Sequence, residues 1–271
     1  MPDKTLFQGT AKLYAVYRPK YPTKIFSLIK KYSSKKKDLR ILDLGCGPGT
    51  LSIPLGKYAK ELVAVDINNG MINEGRRQAK LANVKNIRWI VSPVENLETT
   101  IGKFDIIVFS NSFHWMNKRK VLKLVSKMLS PNGLLILISG HSWWNSNIPW
   151  HQTVITTIKK YLGQKRKAGK GLYKSSNSEK ENEYKFETLL PTNGFNILFK
   201  DELFIKYYMS TEQIINFLYT MSFSAKHLFK GKHKLFEKEL KANLNNLNKR
   251  NQFTEQTSFS LFICKNIHTQ N

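Results

Sequence analysis

Short runs of consecutive apolar residues, separated by amphipathic stretches, dominate the first half of the chain. The apolar runs predict buried strands at 39–45, 61–67, 87–92, 104–110 and 134–139. The intervening stretches place apolar residues at helical spacing over 23–32, 51–59, 71–83 and 120–129. Because strands that are apolar throughout need helices on both faces, this alternation predicts a doubly wound, mostly parallel α/β sheet.

The alternation stops after Ser139 and returns near residue 185. Residues 140 to about 182 are polar, with a run of lysine, serine and glycine over 165–180, and we expect them to form a mobile substrate lid. Later signals predict a helix ended by proline and glycine, then strands and helices at 196–208, 210–221, 233–245 and 258–266. The two late strands bring the expected sheet to seven strands.

This pattern predicts three parts of the chain. Residues 1–139 form a ligand-binding core, 140–195 an insertion or lid after strand five, and 196–271 complete the sheet and cover the substrate site. Two local signals mark helix starts: Thr23 as an N-cap, and a capping box from Ser210 to Gln213.

Composition narrows the possible classes of protein. With 271 residues, 41% of them hydrophobic, the chain can bury a sizeable core, so a disordered protein is excluded. The two cysteines, Cys46 and Cys264, have no neighbours at metal-ligand spacing, so we expect no metal and free thiols in a reducing compartment. The longest apolar run, 134–139, is too short to span a membrane, so we expect a soluble, cytoplasmic protein. The net charge of +25 suits a nucleic acid or a membrane surface as partner. It is spread along the chain and rich in lysine, which is equally consistent with a compositional habit of the source organism.

The segment "ILDLGCGPGT" places Gly45, Gly47 and Gly49 directly after the first strand. Glycine allows both a sharp strand-to-helix turn and a close approach of the backbone to a ligand. The spacing is not that of dinucleotide sites, whose third glycine position is Thr50 here. Asp66 ends the next strand, where a carboxylate can accept both ribose hydroxyls of an adenosine, or can cap the following helix.

The glycine pattern, with Asp43 before it, resembles motif I of the class I S-adenosylmethionine-dependent methyltransferases. The stretches "SPVENL", "FDIIVFSNSFHWM" and "VLKLVSKMLSPNGLLIL" are similar to later segments of that family. The resemblance extends from "YAVYRPKYP" to "SFSLFICKN" and favours the small-molecule branch with ubiquinone/menaquinone-type and trans-aconitate-type enzymes.

The resemblance implies S-adenosylmethionine as cofactor and S-adenosylhomocysteine as product. The residues that it assigns to the cofactor are Tyr14, Tyr17, Arg18, Asp43, Gly45, Cys46, Gly47, Gly49, Asp66, Ile67, Met71, Val94, Glu95 and Ser110. Arg18 would lie near the cofactor carboxylate, or would be a surface residue stacked on tyrosine. Pro93 departs from the family pattern because it supplies no side-chain acceptor, so adenine would depend on Val94 and Glu95.

Methyl transfer from a sulfonium is an in-line displacement, and a base is needed only when the acceptor carries a proton to lose. His114 is a candidate base or orienting group, with a packing histidine as the alternative. Trp115, Trp143 and Trp144 are candidate walls of the substrate site, with burial in the core as the alternative.

Together these features predict an enzyme that methylates a small, anionic molecule. The alternatives are an RNA methyltransferase, a cofactor-binding scaffold without turnover, and an NAD-dependent dehydrogenase. The segment "SNSFHW" lacks the Asn-Pro-Pro-Tyr type of motif expected of a base-methylating enzyme. The protein is expected to be a monomer or a homodimer.

Overall fold

A computed structural model describes residues 5–33, 38–140, 142–168, 171–172 and 185–267, and it confirms the predicted α/β fold. The strands of the described chain are β1 (Leu39–Leu44), β2 (Ala59–Asp66), β3 (Ile87–Val91), β4 (Phe104–Ser110), β5 (Leu129–Gly140), β6 (Lys167–Ala168), β7 (Gly171–Leu172), β8 (Phe195–Met209) and β9 (Phe253–Asn266). In this part of the chain, β6 pairs with β7, and the other strands form one seven-stranded sheet in the order β3-β2-β1-β4-β5-β9-β8. β1 to β5 are parallel, and β9 pairs antiparallel with both β5 and β8.

Helices pack on both faces of this sheet. The described α-helices are α1 (Ala11–Tyr17), α2 (Thr23–Tyr32), α3 (Ser52–Gly56), α4 (Asn69–Leu81), α5 (Lys118–Met128), α6 (Pro149–Leu162), α7 (Phe186–Thr192), α8 (Thr211–Leu218) and α9 (His233–Leu247). Successive strand residues enter different cores: Leu42 packs with α5 and α7, whereas Ile41 packs with α2, α3 and α4. This two-sided burial explains why the strands are apolar throughout. No helix in the described ranges combines the length and apolar character needed to cross a bilayer.

A third hydrophobic core includes part of the segment predicted to form a mobile lid. α6 packs with α8 and α9, and its buried side chains include Trp150, Val154 and Ile158. The polar reading of this stretch is therefore wrong over Pro149–Leu162, where an amphipathic helix is part of a packed core. Residues 169–170 and 173–184, which carry most of the lysine, serine and glycine run, lie outside the described residues.

The closing strand begins earlier than predicted, at Phe253 rather than residue 258. Glu255 interrupts the apolar pattern, yet it is only 2% exposed because its carboxylate is hydrogen-bonded inside the protein. Because this acid is buried and hydrogen-bonded, the hydrophobic pattern did not predict residues 253–257 as part of β9.

The helix caps agree only partly with the sequence signals. Ser210 and Gln213 form the predicted capping box at the start of α8. Thr23 is wrong as an N-cap: it is the first residue of α2, and Pro22 precedes it without a side-chain cap. α4 is capped by Asn68, whose side chain accepts a hydrogen bond from the Met71 amide. Asp66 is therefore not the cap of that helix.

Candidate active site

The glycine loop joins β1 to α3, and all three of its predicted glycines have left-handed backbones. Their φ angles are 74° at Gly45, 54° at Gly47 and 79° at Gly49. A Cβ on Gly45 would lie 2.4 Å from the Cβ of Ser112, and one on Gly49 would lie 2.7 Å from the Trp89 ring. Nothing lies within 4 Å of the corresponding position at Gly47. Of the three glycines, only Gly47 has open space beside it that a ligand could occupy. At Gly45 and Gly49 a side chain would collide with the protein itself, so packing requires glycine there.

Two alanine substitutions separate these reasons. Gly45→Ala is expected to reduce the free energy of unfolding by about 2–4 kcal/mol, since overpacking adds to backbone strain. Gly47→Ala is expected to cost only about 1 kcal/mol, the strain alone. Urea denaturation of the two variants measures the difference, and equal losses would contradict this account of the loop.

Asp66 ends β2 beside the loop and uses both carboxylate oxygens to organise it. Oδ2 accepts a hydrogen bond from the Gly47 amide at 2.9 Å, and Oδ1 accepts one from the Asn68 amide at 2.8 Å. Burial raises the pKa of Asp66, and these two backbone hydrogen bonds oppose the shift. Each carboxylate oxygen can accept a further hydrogen bond, so the side chain can hold the loop and receive a ligand hydroxyl together.

Asp43 lies beneath the loop and is 1% exposed. Its Oδ2 accepts a hydrogen bond from the Ser52 hydroxyl at 2.5 Å, while Oδ1 has no hydrogen-bond partner among the described residues. Burial raises the pKa of Asp43 to about 7. The carboxyl group of Asp43 is therefore only partly ionised at pH 7, and one of its oxygens has no hydrogen bond within the described residues.

This shift predicts how stability changes with pH. Because the pKa of Asp43 is higher in the folded protein than the ordinary value of about 4, ionisation favours the unfolded chain as pH rises through about 4 to 7. Asp43→Asn cannot ionise, so the variant lacks this loss of stability at higher pH. Relative to wild type, the variant is expected to gain on the order of 1–3 kcal/mol between about pH 5 and pH 8 in ligand-free urea denaturation. Parallel pH profiles for the two proteins would contradict it.

An inner cavity of about 200 Å³ opens beside the loop, at the carboxyl ends of the strands. It brings together many of the predicted cofactor residues: Tyr14, Gly45, Gly47, Asp66, Ile67, Met71, Val94, Glu95 and Ser110. Leu6, Phe7 and Asn68 also line it, and no sequence pattern identified them. The described lining does not include Tyr17, Asp43, Cys46 or Gly49.

The segment predicted to face adenine is held by the start of α5. Glu95 Oε1 accepts a hydrogen bond from the Asn117 amide at 2.9 Å, and Oε2 is buried with no hydrogen-bond partner in the described chain. Val94 is buried, and Pro93 lines the inner cavity as well. Glu95 thus supplies a side-chain acceptor of fixed orientation in the segment where Pro93 has none.

The end of β4 is fixed by Tyr21, which the sequence did not single out as a site residue. The Ser110 hydroxyl donates a hydrogen bond to the Tyr21 hydroxyl. Asn111 follows in a left-handed conformation, φ 54°, and its Oδ1 accepts a hydrogen bond from the Gly140 amide at 2.6 Å. Burial raises the pKa of Tyr21 well above its ordinary value, so the phenol stays protonated.

An outer cavity of about 300 Å³ adjoins the inner one. The two share Phe7, Tyr14, Asn111 and Trp115. Of the other predicted residues, the outer cavity receives Arg18, His114 and Trp143. Trp144 is not in the described lining of either cavity; it packs against Phe223, with ring centroids 5.3 Å apart.

Arg18 stacks on tyrosine, as one of the two roles considered for it requires, and it lines the outer cavity. Its Nη2 donates a hydrogen bond to the Thr220 carbonyl at 3.0 Å, and its guanidinium carbon lies 4.6 Å from the Tyr14 ring centroid and 5.3 Å from that of Phe217. Nε is buried without a hydrogen-bond partner in the described residues. The guanidinium is therefore held between aromatic rings, at the cavity, with a donor unused.

His114 is accessible from the outer cavity, and its ring centroid lies 4.5 Å from that of Trp115. The ring is exposed at the cavity, and the protein atoms around it remove part of its hydration. This desolvation, with the positive charges of Arg166, Lys118 and Arg18, lowers the pKa of His114 to about 4. The imidazole is therefore neutral at pH 7 and can accept a hydrogen bond, but it is a weak base.

Arg166 is a lining residue that the sequence did not reveal. It lies in the outer cavity, with its guanidinium carbon 5.0 Å from the Phe223 ring centroid. In the sequence it stands within a lysine-rich run, and nothing distinguishes it from a solvated charge.

Comparison with known proteins gives one matching domain family. The family model described as "Methyltransferase domain" matches residues 41–133. The chain is 31% identical over 152 residues to malonyl-acyl-carrier-protein O-methyltransferase of Bacillus cereus, covering 52% of this chain and 55% of that protein. It is 26% identical over 200 residues to the uncharacterized methyltransferase-like protein C25B8.10 of Schizosaccharomyces pombe, covering 72% and 69%. The chain spans about half the length of most of the curated relatives that it matches.

Solved structures share the fold at low sequence identity. YcgJ of Bacillus subtilis has a TM-score of 0.55 at 17% identity, covering 90% of this chain and 99% of that chain. A methyltransferase from Thiobacillus denitrificans in complex with S-adenosylhomocysteine has a TM-score of 0.54 at 13% identity, covering 98% and 100%. The cyclase SpnF reaches 0.52 at 13% identity, covering 90% and 80%. The same fold therefore carries more than one chemistry, and function has to be argued from the site.

Proposed function

We propose that this chain, whose residues 41–133 match the methyltransferase-domain family, transfers a methyl group from S-adenosylmethionine to a small, anionic molecule. The observation that carries the proposal is the pair of adjoining cavities at the carboxyl ends of the strands. The inner one is lined by the glycine loop and Asp66, and the outer one by two arginines. Ligands of doubly wound sheets bind at this edge.

The inner cavity suits the adenosine part of the cofactor. Asp66 faces it with acceptor capacity for the two ribose hydroxyls, which is the role the sequence predicted. Ile67 and Met71 supply apolar surface, and Glu95 has an unused acceptor oxygen that suits an adenine amino group. The residues present therefore fit the nucleoside.

The amino-acid part of the cofactor would extend from the glycine loop toward the outer cavity. Ser110 and Tyr14 lie along this path, and Tyr14 lines both cavities. Arg18 lies farther on, with an unused donor and a positive charge that suit a carboxylate. Tyr17, Asp43, Cys46 and Gly49 would act from behind the lining by shaping the loop and α1.

The remainder of the outer cavity would hold the acceptor. When bound, the cofactor supplies an electrophilic methyl group for in-line displacement by the acceptor. Arg166 would attract and orient an anionic acceptor, Trp115 and Trp143 would wall it, and the ring N–H of neutral His114 would donate a hydrogen bond to it. A weakly basic His114 suits an acceptor that arrives already deprotonated, such as a carboxylate.

Two other candidates each have an observation in their favour. The net charge of +25 favours RNA, and the fold shared with a cyclase is compatible with a cofactor-binding protein that transfers no methyl group. The small-molecule proposal is preferred because both cavities are concave and of small-molecule size, about 200 and 300 Å³, and the arginines line one of them. We expect such an enzyme in the cytoplasm, where both cysteines stay reduced.

Calorimetry with two cofactors tests the first step of the proposal. S-adenosylhomocysteine is expected to bind wild-type protein with one site per chain, and NAD is expected not to bind. The physical reason is the glycine spacing, which lacks the third glycine of the dinucleotide pattern. Binding of NAD without binding of S-adenosylhomocysteine would favour the dehydrogenase alternative instead.

A further inference from the structure

Glu255 is a buried carboxylate outside both cavities that none of the proposed steps uses. It is 2% exposed, on the part of β9 that the sequence pattern missed. Its Oε1 accepts hydrogen bonds from Trp143 Nε1 at 2.9 Å and from the Thr257 hydroxyl at 2.8 Å. Both donors line the outer cavity. One buried acid therefore holds two wall residues of that cavity.

His151 completes the arrangement on the side away from the cavity. Its Nε2 lies 2.7 Å from Glu255 Oε2, and its Nδ1 lies 2.7 Å from the Ser146 hydroxyl. The His151 ring stacks on the Trp143 ring, with centroids 4.6 Å apart and planes 19° apart. The edge of Trp143 is thus held by a hydrogen bond and its face by a stacked ring, so the indole has little freedom to move.

The arrangement continues to the arginine assigned to the cofactor. The rings of Trp143 and Phe217 lie 4.6 Å apart, and Phe217 forms one of the two aromatic contacts of the Arg18 guanidinium. Displacement of the Trp143 indole would therefore loosen Phe217 and, with it, Arg18. The protein interior transmits such shifts because it is closely packed.

We propose that Glu255 is a positioning residue of the outer cavity, which fixes Trp143 and Thr257 directly and Arg18 through Trp143 and Phe217. The inference rests on the proposed function, because it assumes that the amino-acid part of the cofactor reaches Arg18. It assigns a role in ligand binding to a residue that touches neither ligand.

The test compares two probes that differ in reach. S-adenosylhomocysteine carries the amino-acid part, whereas 5′-methylthioadenosine has the nucleoside and thioether without it. Glu255→Leu removes the hydrogen-bond partner of Trp143, Thr257 and His151 at similar volume. We expect it to weaken binding of S-adenosylhomocysteine at least about fivefold in calorimetry, and to leave the affinity for 5′-methylthioadenosine within about twofold of wild type.

Three further variants make the outcome decisive. Glu255→Gln keeps an acceptor oxygen and is expected to restore most of the affinity. Trp143→Phe removes the same hydrogen bond and keeps an aromatic ring, although a smaller one, and it replaces Glu255→Leu should that variant fail to fold. Asn266→Leu, a buried polar residue elsewhere on β9, is the control and is expected to change neither affinity.

The other outcomes separate this inference from the proposal beneath it. Equal weakening of both probes, or no weakening of either, would overturn the positioning role alone. Wild-type protein that binds neither probe would overturn the proposed function, and the positioning role together with it.

Discussion

Asp66→Ala is expected to weaken binding of S-adenosylhomocysteine at least about tenfold. The proposed ribose contacts are hydrogen bonds to a charged group, each contributing about 1.5–3 kcal/mol, and about 1.4 kcal/mol corresponds to a factor of ten in affinity. The substitution also removes the acceptor of the hydrogen bonds that the Gly47 and Asn68 amides donate, which loosens the glycine loop. Calorimetric titration of the folded variant measures the loss.

Asp201→Asn is the matched control for this experiment. Asp201 is a carboxylate on β8 that pairs with Lys24 at 3.0 Å, outside both cavities. It is expected to leave the affinity unchanged. A folded Asp66→Ala protein with wild-type affinity would remove Asp66 from the ribose site.

Arg18→Gln is expected to weaken binding of S-adenosylhomocysteine about tenfold while leaving that of 5′-methylthioadenosine nearly unchanged. The reason is the loss of a charge-assisted contact to the carboxylate, which only the first compound carries. Glutamine keeps a donor, so the variant removes charge and stacking rather than all polarity. Paired calorimetric titrations provide the comparison.

Arg166→Gln separates the two arginines of the outer cavity. Since Arg166 is assigned to the acceptor, this variant is expected to bind S-adenosylhomocysteine as wild type does. Similar losses in both variants would show that the arginines share one ligand. Loss of affinity for both compounds in Arg18→Gln would instead make Arg18 a packing residue stacked on Tyr14 and Phe217.

The parallel half of the fold was predictable because its strands are buried on both faces, which leaves continuous apolar runs such as 104–110. α6 was missed although Trp150, Val154 and Ile158 recur at helical spacing. Buried polar residues, His151 and Thr157 among them, stand within the same helix and obscure the pattern. The early start of β9 was concealed in the same way by Glu255. Hydrophobic patterns fail where buried polar groups satisfy one another.

The site was predictable where one local segment determines it and less so where distant segments meet. Gly45 and Gly47 follow β1 and Asp66 ends β2, and the structure brings them to one cavity as expected. That Gly45 must also make room for Ser112 depends on the neighbouring strand β4 ending beside it. Arg166 and Glu255 gain their positions only from tertiary packing, so no spacing in the sequence could identify them.

The central proposal is tested most directly by following a labelled methyl group from S-adenosylmethionine. Wild-type protein is incubated with the cofactor and either a panel of carboxylic acids, phenols and thiols or total RNA. We expect at least one small molecule to gain one methyl group per S-adenosylhomocysteine formed, with the label in RNA at background. Salt-sensitive labelling of RNA would contradict the small-molecule proposal and favour a role for the +25 charge in binding. Binding of S-adenosylhomocysteine without turnover of any acceptor would contradict methyl transfer and leave a cofactor-binding scaffold.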